Sequence, residues 1–318
     1  MKKSVAIIVG GTGQFGFYLS KKLIAKKYLV IVTTRSIKKA KSKIKSNNNL
    51  LIKKLNILNK IQIKSLLLNF SPELIIYLAG QSSPAKSFLK KKETYLSNFV
   101  GCKNFLETIS KYKIKCKFIN SSSCEIFGNT KKKLGLKTNK KPISPYGLAK
   151  LKSFEITKKY RIKNKLLSYN AIIFNSESTL RNKKYLIPKI CIAAIRAKKF
   201  GTKTQFGNLK IAREWNWCPE QCEYLLRFIK KKPQDFILSN GKLFTAIQML
   251  KFAFGYFNLD YKNFILQNKK FFRKADSNFL KSDFNNCLKR NKIRRINKIY
   301  GKKLIYKLIN YYLHEKKY

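Results

Sequence analysis

A glycine turn directly follows the first apolar segment of the chain. The run Val5–Val9 leads into Gly10, Gly13 and Gly16, and helical spacing of apolar residues starts at Gly16. A strand, a glycine turn and a helix in this order place backbone N–H groups and a helix N-terminus where a pyrophosphate can bind. We therefore expect the chain to open with the first strand of a dinucleotide-binding domain. The residues expected to contact the dinucleotide in this turn are Gly10, Thr12, Gly13, Gln14, Phe15 and Gly16.

Strand-like and helix-like segments alternate through the first half of the chain. The strand-like segments are Val5–Val9, Tyr28–Thr33, Leu74–Leu78, Lys117–Ser121 and Leu166–Asn175. The helix-like segments are Gly16–Lys26, Ile61–Leu68, Tyr95–Tyr112 and Pro145–Tyr160, followed after an irregular stretch by Ile187–Lys198, Pro219–Lys230 and Phe244–Phe257. Such alternation predicts an α/β fold with a doubly wound parallel Rossmann sheet. We expect this domain over residues 1–175, with part of 205–245 returning to it, and a smaller, partly helical substrate-binding region over 176–318.

The residues at the end of the second predicted strand indicate whether the dinucleotide is NAD or NADP. An acid there would accept the ribose 2′-hydroxyl of NAD. This chain has Thr33-Thr34-Arg35-Ser36 instead, and no acid lies between Val30 and Leu66. Arg35 and Ser36 can hold a 2′-phosphate, although an arginine here could also be simply solvated. The pattern favours NADP as the cofactor.

A tyrosine and a lysine lie four residues apart at the start of the helix predicted after Pro145. This spacing puts Tyr146 and Lys150 on one helical face. A lysine ammonium stabilises a neighbouring phenolate, so Tyr146 can take a proton from a sugar hydroxyl while hydride leaves the same carbon. The same spacing occurs elsewhere in this lysine-rich chain. The position of this pair after a predicted strand is what marks it as catalytic and as a cofactor contact.

A serine and a glutamate follow the strand that ends near Ser121. Open α/β sheets bind their ligands at the carboxyl ends of the strands, which is where Ser123 and Glu125 fall. Ser123 can hydrogen-bond the reacting oxygen, and Glu125 can remove a carbon-bound proton next to a transient ketone. The alternative for Glu125 is a helix-capping or solvated side chain.

The histidine and cysteine content argues against other chemistry. The only histidine is His314, in the charged C-terminal tail, and the seven cysteines contain no CxxC pair. Histidine-dependent hydrolysis and a metal site are therefore not expected, and reduced thiols suit a cytoplasmic protein. No apolar run approaches the roughly 18 residues that cross a membrane, so no membrane partner is expected.

The charge of the chain is unusual. It has 71 basic and 14 acidic residues, a formal net charge of +57. Basic surfaces bind phosphate polyanions, which leaves open a non-catalytic Rossmann protein that binds RNA. Because the lysines are spread along the chain, we favour a positive surface that attracts anionic small substrates, with no specific nucleic-acid partner.

Several motifs together resemble the GDP-mannose 4,6-dehydratase family of extended short-chain dehydrogenases/reductases. These motifs are Gly10–Gly16, Ala79–Ser82, Ser122–Gly128, Ser144–Lys150, Phe174–Ser178, Gly207–Leu209 with Arg213–Trp215, Pro233–Phe236 with Gly241, and Phe272–Asp276. The match is collinear from about residue 4 to residue 312. Order and spacing together are more specific than any single motif.

The resemblance implies a role for each matching residue. Ser123, Glu125, Tyr146 and Lys150 stand at the family's catalytic positions. Further cofactor contacts are implied at Asn56, Ile57 and Ala79. The nucleotide-sugar contacts implied are Asn175, Lys189, Arg213, Arg273 and Asp276, where arginine suits the diphosphate because its guanidinium bonds two oxygens at once.

The activity implied is conversion of GDP-mannose to GDP-4-keto-6-deoxymannose by a homo-oligomer. Some positions depart from the family pattern, among them Ser123 for threonine, Phe15 for aspartate and Asp276 for glutamate. A GDP-sugar 4-reductase or a nucleotide-sugar epimerase of the same superfamily stays open, since both need Tyr146 and Lys150 but not Glu125.

Overall fold

Strands and helices alternate along the chain. The computed structural model describes residues 3–42, 44, 47–130, 132–268, 270, 272, 277 and 279–315. In this part of the chain the strands are β1 (Val5–Val9), β2 (Leu29–Thr34), β3 (Leu50–Lys54), β4 (Leu74–Tyr77), β5 (Lys117–Ser123), β6 (Ser168–Ile173), β7 (Ser176–Glu177), β8 (Thr204–Phe206), β9 (Ala212–Arg213), β10 (Asn216–Trp217), β11 (Asp235–Leu238), β12 (Phe244–Thr245), β13 (Ile265–Gln267) and β14 (Phe279–Leu280). The α-helices are α1 (Gln14–Ile24), α2 (Ile37–Lys41), α3 (Lys60–Phe70), α4 (Pro84–Ser87), α5 (Lys91–Tyr95), α6 (Gly101–Lys111), α7 (Pro145–Lys163), α8 (Leu186–Phe200), α9 (Cys218–Phe228), α10 (Ala246–Gly255), α11 (Phe284–Arg290) and α12 (Gly301–His314). Shorter helical turns are the π-helical Leu96–Val100 and the 3-10 turns Cys124–Phe127 and Tyr261–Asn263.

The chain divides into two compact units. The first comprises Met1–Gly128, Leu136–Ile173 and Cys222–Leu238. The second comprises Asn129–Gly135, Phe174–Gln221 and Ser239–Tyr318.

The first unit is built on a seven-stranded parallel sheet. Its strand order is β11-β6-β5-β4-β1-β2-β3, and every neighbouring pair is parallel. The order reverses between β1 and β4, and open α/β sheets bind ligands at such a switch point, beyond the carboxyl ends of the strands. The predicted doubly wound parallel sheet is thus confirmed.

Apolar strands account for burial of the sheet in the first unit. All five residues of β1 are buried, as expected for a strand covered by helices on both faces. On one face Ile7, Ile31 and Ile75 pack in a cluster with Leu67 of α3 and Phe105 of α6. These strands therefore contribute to the apolar core of the first unit.

The second unit has a helical core. Residues of α8, α10 and α12 form one buried cluster, which includes Ile190, Leu250 and Leu308. Short strand pairs surround these helices: β10 with β7, β13 with β8, and β9 between β12 and β14. This unit holds several of the residues that the family resemblance implied for substrate binding.

Most predicted segments lie within a few residues of the observed ones, but two strands of the sheet were not predicted. β3 is a short strand whose burial decreases towards Lys53 and Lys54, so its sequence lacks a continuous apolar run. β11 has only four residues and pairs with β6 along Asp235–Leu238. β3 is an edge strand of mixed sequence, whereas β11, at the other edge, is buried at Phe236, Ile237 and Leu238 but is too short to show a clear strand pattern.

The positive charge predicts a dependence of stability on salt. A net charge of +57 disfavours the compact state through self-repulsion. The screening length falls from roughly 10 Å at 0.1 M to roughly 3 Å at 1 M salt. We expect the Tm to rise by about 3–6 °C over this range of sodium chloride, a gain of about 1.5 kcal/mol, in a calorimetric scan without cofactor. A Tm that stays constant or falls would contradict the role given to self-repulsion.

Within the part of the chain that the structure describes, no helix is long and apolar enough to cross a bilayer. In the same residues no three His, Cys, Asp or Glu side chains are grouped so that they could hold a metal ion. All seven cysteines are free and buried.

Candidate active site

The glycine turn forms a tight cradle between β1 and α1. Gly10 has a φ of +73°, and a Cβ there would lie 2.6 Å from Cα of Ala79, just past β4. A Cβ at Gly16 would lie 1.9 Å from the carbonyl oxygen of Gly11. Gly13 precedes α1 and faces open space, and no side chain caps the helix there. The first N–H groups of α1 can therefore bind a phosphate, so the residues present fit a pyrophosphate group.

The residues after β2 lie beside a cavity. Arg35 is 81% exposed and its Nη2 lies 3.6 Å from Oε1 of Glu93. Ser36 caps α2, where its Oγ accepts a hydrogen bond from the backbone N–H of Lys39 at 3.4 Å. A cavity of about 410 Å³ is lined by Arg35, Lys54, Leu55, Asn56 and Gln62.

Asn56 and Ile57 are held by local hydrogen bonds. The backbone N–H of Asn56 donates to Oε1 of Gln62 at 2.9 Å, and its Oδ1 accepts from Leu58 N at 3.0 Å. The Ile57 carbonyl accepts from Nδ2 of Asn104 at 3.1 Å. The turn after β3 is therefore well ordered beside the cavity.

Tyr146 and Lys150 are both buried on the first turns of α7. Ser144 caps this helix by accepting a hydrogen bond from Gly147 N at 3.0 Å, and Pro145 has a φ suited to the first helical position. The Lys150 ammonium donates to the Ser121 carbonyl at 2.6 Å and lies 5.9 Å from the centre of the Tyr146 ring. Burial lowers the pKa of Lys150 to about 8, so the ammonium is still charged at neutral pH.

Ser123 and Glu125 follow β5 on a short 3-10 turn. Ser123 is buried and its Oγ accepts a hydrogen bond from the backbone N–H of Glu125 at 3.3 Å. This turn touches the start of α7, because a Cβ at Gly147 would lie 2.6 Å from the Glu125 carbonyl oxygen. β5 and α7 thus bring the four predicted catalytic residues into one region of the first unit.

Two further polar groups in this unit were not singled out from the sequence. Nδ2 of Asn98 donates to the carbonyls of Gln81 and Thr94, but its buried Oδ1 has no partner. Gly80 has a φ of +152°, and a Cβ there would lie 2.3 Å from this Oδ1. Ser122 Oγ is also buried without a partner. Asn98 lies in the π-helical segment, a distortion that often marks functional sites but that apolar spacing does not reveal.

The second unit holds three of the residues implied for the nucleotide sugar. Asn175 has a buried Oδ1 without a hydrogen-bond partner, whereas its carbonyl accepts from Asn216 N at 2.8 Å. The Lys189 ammonium lies 4.8 Å from the centre of the Phe206 ring, and partial burial lowers its pKa. Arg213 is buried on β9, where Nη1 donates to the Ala212 carbonyl at 3.0 Å. Arg273 and Asp276 lie outside the described residues.

Glu214 fixes the backbone beside Arg213. Its carboxylate is fully buried and accepts hydrogen bonds from the Ser282 backbone N–H at 2.9 Å and from Gly241 N at 3.2 Å. The hydroxyls of Ser239 and Ser282 donate to the same group. Because a buried carboxylate needs such hydrogen-bond donors, Glu214 links its own segment to those of Ser239 with Gly241 and of Ser282 in the second unit.

A second buried carboxylate in this unit predicts a pH dependence of stability. Burial raises the pKa of Glu177 from its ordinary 4.5 to about 7, and its Oε2 lies 3.8 Å from Arg181 Nε without a hydrogen bond. A raised folded-state pKa gives stability that is present below pH 4.5 and is lost as the pH rises through 7. We expect this loss to reach about 3 kcal/mol in urea unfolding.

Glu177→Gln removes this titration, so the variant should lose less stability than the wild type between pH 5 and pH 8. Equal slopes for the two proteins would contradict the assignment. The comparison isolates Glu177 because other titrating groups are common to both proteins.

Comparisons with known proteins identify the family and the fold of the chain. The family model of GDP-mannose 4,6 dehydratase matches residues 7–295. The chain is 29% identical over 297 residues to GDP-mannose 4,6 dehydratase 2 of Arabidopsis thaliana, which covers 88% of this chain and 80% of that protein.

Solved structures share the fold at lower identity. A dTDP-glucose 4,6-dehydratase of Bacillus anthracis in complex with NAD superposes with a TM-score of 0.84 at 17% identity, covering 99% of this chain and 98% of that one. A UDP-glucose 4-epimerase of Thermotoga maritima gives 0.83 at 21% identity, covering 98% and 100%. Since the family model extends from β1 to beyond α11, the chain belongs to the GDP-mannose 4,6-dehydratase family.

Proposed function

We propose that this protein is a GDP-mannose 4,6-dehydratase that forms GDP-4-keto-6-deoxymannose with a resident nicotinamide dinucleotide. The observation that carries the proposal is the pairing of Tyr146 and Lys150 on α7 with Glu125 on the adjoining 3-10 turn. Reductases and epimerases need a tyrosine and a lysine such as Tyr146 and Lys150. The elimination of water also needs a base, and Glu125 is placed to be that base. The relatives named GDP-mannose 4,6 dehydratase support the same activity.

The first step is oxidation at C4 of the mannose. Tyr146, as phenolate, takes the proton of the C4 hydroxyl, and the buried Lys150 ammonium stabilises that phenolate. Ser123 donates a hydrogen bond to the same oxygen as it becomes a carbonyl. The chemistry that a bound nicotinamide supplies is reversible acceptance of hydride, taken from C4 at the start and given to C6 at the end.

The second step is loss of water from C5 and C6. The C4 ketone acidifies the proton on C5, and Glu125 removes it as base. The same carboxyl, now protonated, can give that proton to the departing C6 hydroxyl, so that water leaves and a double bond forms between C5 and C6. The 6-deoxy product is completed when C6 receives the hydride and C5 takes a proton from solvent, while Tyr146 releases the proton it took from the C4 hydroxyl, so that only one water is lost overall.

The cofactor we propose is NADP. Structural neighbours are crystallised with NAD, which supports a dinucleotide without choosing between the two forms. In favour of the phosphorylated form, β2 is followed by Arg35 and Ser36 with no acid as far as Leu66. A guanidinium suits a phosphate dianion.

The two domains expected from the sequence have different proposed tasks. We propose that residues 1–175, with part of 205–245, bind NADP, and that residues 176–318 mainly bind the nucleotide sugar. The orphaned Oδ1 of Asn175 supports a polar ligand there. The reduced thiols suit the cytoplasm.

We also propose that the protein is a homo-oligomer. Exposed apolar side chains on or near α5 and α7 support this, with Leu89, Tyr95 and Leu148 respectively 90%, 39% and 47% exposed. Sedimentation at several concentrations would give the mass of the assembly, and a mass of one chain throughout would contradict it.

The proposed function is tested by incubating the purified protein with GDP-mannose and NADP⁺ below the protein concentration. We expect the sugar nucleotide to lose the mass of one water over many turnovers, without net absorbance at 340 nm. Unchanged GDP-mannose, with dinucleotide bound, would contradict the proposal.

A further inference from the structure

The cavity beside β2 and β3 has a basic lining. Of the five residues that line its roughly 410 Å³, Arg35 and Lys54 are charged and none is acidic. Arg35 was expected from the sequence to hold a 2′-phosphate, whereas Lys54 carries no assigned role. The cavity is large enough for a phosphate and part of a nucleoside.

Arg35 and Lys54 follow or end neighbouring strands and line the same cavity. β2 and β3 pair in parallel with Thr34 opposite Lys54, so Arg35 is one residue beyond the pair. Side chains of paired residues project from the same face of the sheet. Lys53 therefore lies on the other face, where its ammonium is 5.7 Å from the centre of the Phe70 ring.

Arg35 alone is a weak phosphate site. Its guanidinium is 81% exposed, and the Glu93 carboxylate 3.6 Å away offsets part of its charge. Exposed ion pairs contribute little in water, and a phosphate dianion is best bound by more than one donor. Lys54 is exposed on the same cavity and has no ion-pair partner among the residues described.

We propose that Lys54 is a second cation for the 2′-phosphate and thereby a residue that determines cofactor specificity. This inference rests on the proposed function, since it requires a dinucleotide in the first unit. Arg35 binds the phosphate from the end of β2, and Lys54 binds it from the end of β3. The two contacts together replace the carboxylate that an NAD-specific site uses.

The test is calorimetric titration of the full-length protein with NADP⁺ and with NAD⁺, comparing wild type, Lys54→Gln and the matched control Lys53→Gln. We expect Lys54→Gln to weaken NADP⁺ binding roughly tenfold, the low end of what a hydrogen bond to a charged group contributes, and to leave NAD⁺ binding unchanged. Lys53→Gln should change neither, because it removes a lysine of the opposite face. Arg35→Gln should show the same selective loss as Lys54→Gln.

The outcomes separate this inference from the proposed function. If the wild type prefers NADP⁺ and Lys54→Gln binds it as tightly, or if both lysine variants lose affinity equally, the role of Lys54 is overturned while the dehydratase proposal stands. A wild type that binds NAD⁺ at least as well as NADP⁺ also overturns it. If the wild type binds neither dinucleotide, both the role of Lys54 and the proposed function are contradicted.

Discussion

We expect Tyr146→Phe to lower kcat for GDP-mannose dehydration by roughly a thousandfold, within the range that positioned acid–base groups contribute. The ring, its burial and its contact with the Lys150 ammonium stay, but no oxygen is left to take the C4 hydroxyl proton. Dinucleotide affinity should change by only a few-fold. The measurement is steady-state turnover of GDP-mannose followed by mass spectrometry.

The matched control for this variant is Tyr160→Phe. Tyr160 lies on the same helix, is partly buried and packs against the core cluster of the first unit. We expect it to keep nearly full activity. If Tyr146→Phe were within tenfold of wild type, another group would have to be the base.

Glu125→Gln separates oxidation from elimination. The amide keeps the size of the side chain and the backbone contacts of the 3-10 turn, so folding and dinucleotide binding should be preserved. It cannot remove the C5 proton, and the rate of water loss should fall by roughly a hundredfold to ten-thousandfold. Because the C4 step does not need Glu125, absorbance at 340 nm should appear in an amount close to that of the enzyme and then persist.

A second glutamate provides the control. Glu155 is exposed on α7 in the same unit, and Glu155→Gln removes the same charge away from the turn. It should behave as wild type. If the Glu125→Gln protein still releases dehydrated product at the normal rate, Glu125 is not the base. A lower Tm of this variant would show that Glu125 acts by stabilising the fold and not as a base.

The features that could be predicted best from the sequence are those that a short, recognisable pattern of residues specifies. The strand Val5–Val9 and its glycines could be predicted because only glycine tolerates the approach of Ala79 to Gly10 and of Gly11 to Gly16. Tyr146 and Lys150 could be predicted because they are four positions apart at the start of a helix, which puts them on one helical face. Both features can be recognised from a short stretch of sequence, although the contact between Gly10 and Ala79 itself forms only on folding.

Other features depend on contacts that are distant in sequence. β3 has two lysines at its end and was not predicted, although it brings Lys54 to the cavity. The position of the Asn98 side chain depends on a π-helical turn and on the close approach of Gly80, and neither feature produces a periodic spacing of apolar residues. Glu214 was noted only as part of a motif, because its donors at Ser239, Gly241 and Ser282 come together by folding.

In the proposed reaction one hydrogen moves within a single sugar, from C4 to C6, while water leaves. The most direct measurement uses GDP-mannose deuterated at C4, incubated with the enzyme in ordinary water and followed by NMR and mass spectrometry. We expect a product that has lost one water and carries the deuterium in its C6 methyl group, with a C5 hydrogen from solvent. Deuterium that remains on C4 of a sugar of unchanged mass, or that is lost to an external acceptor, would contradict it.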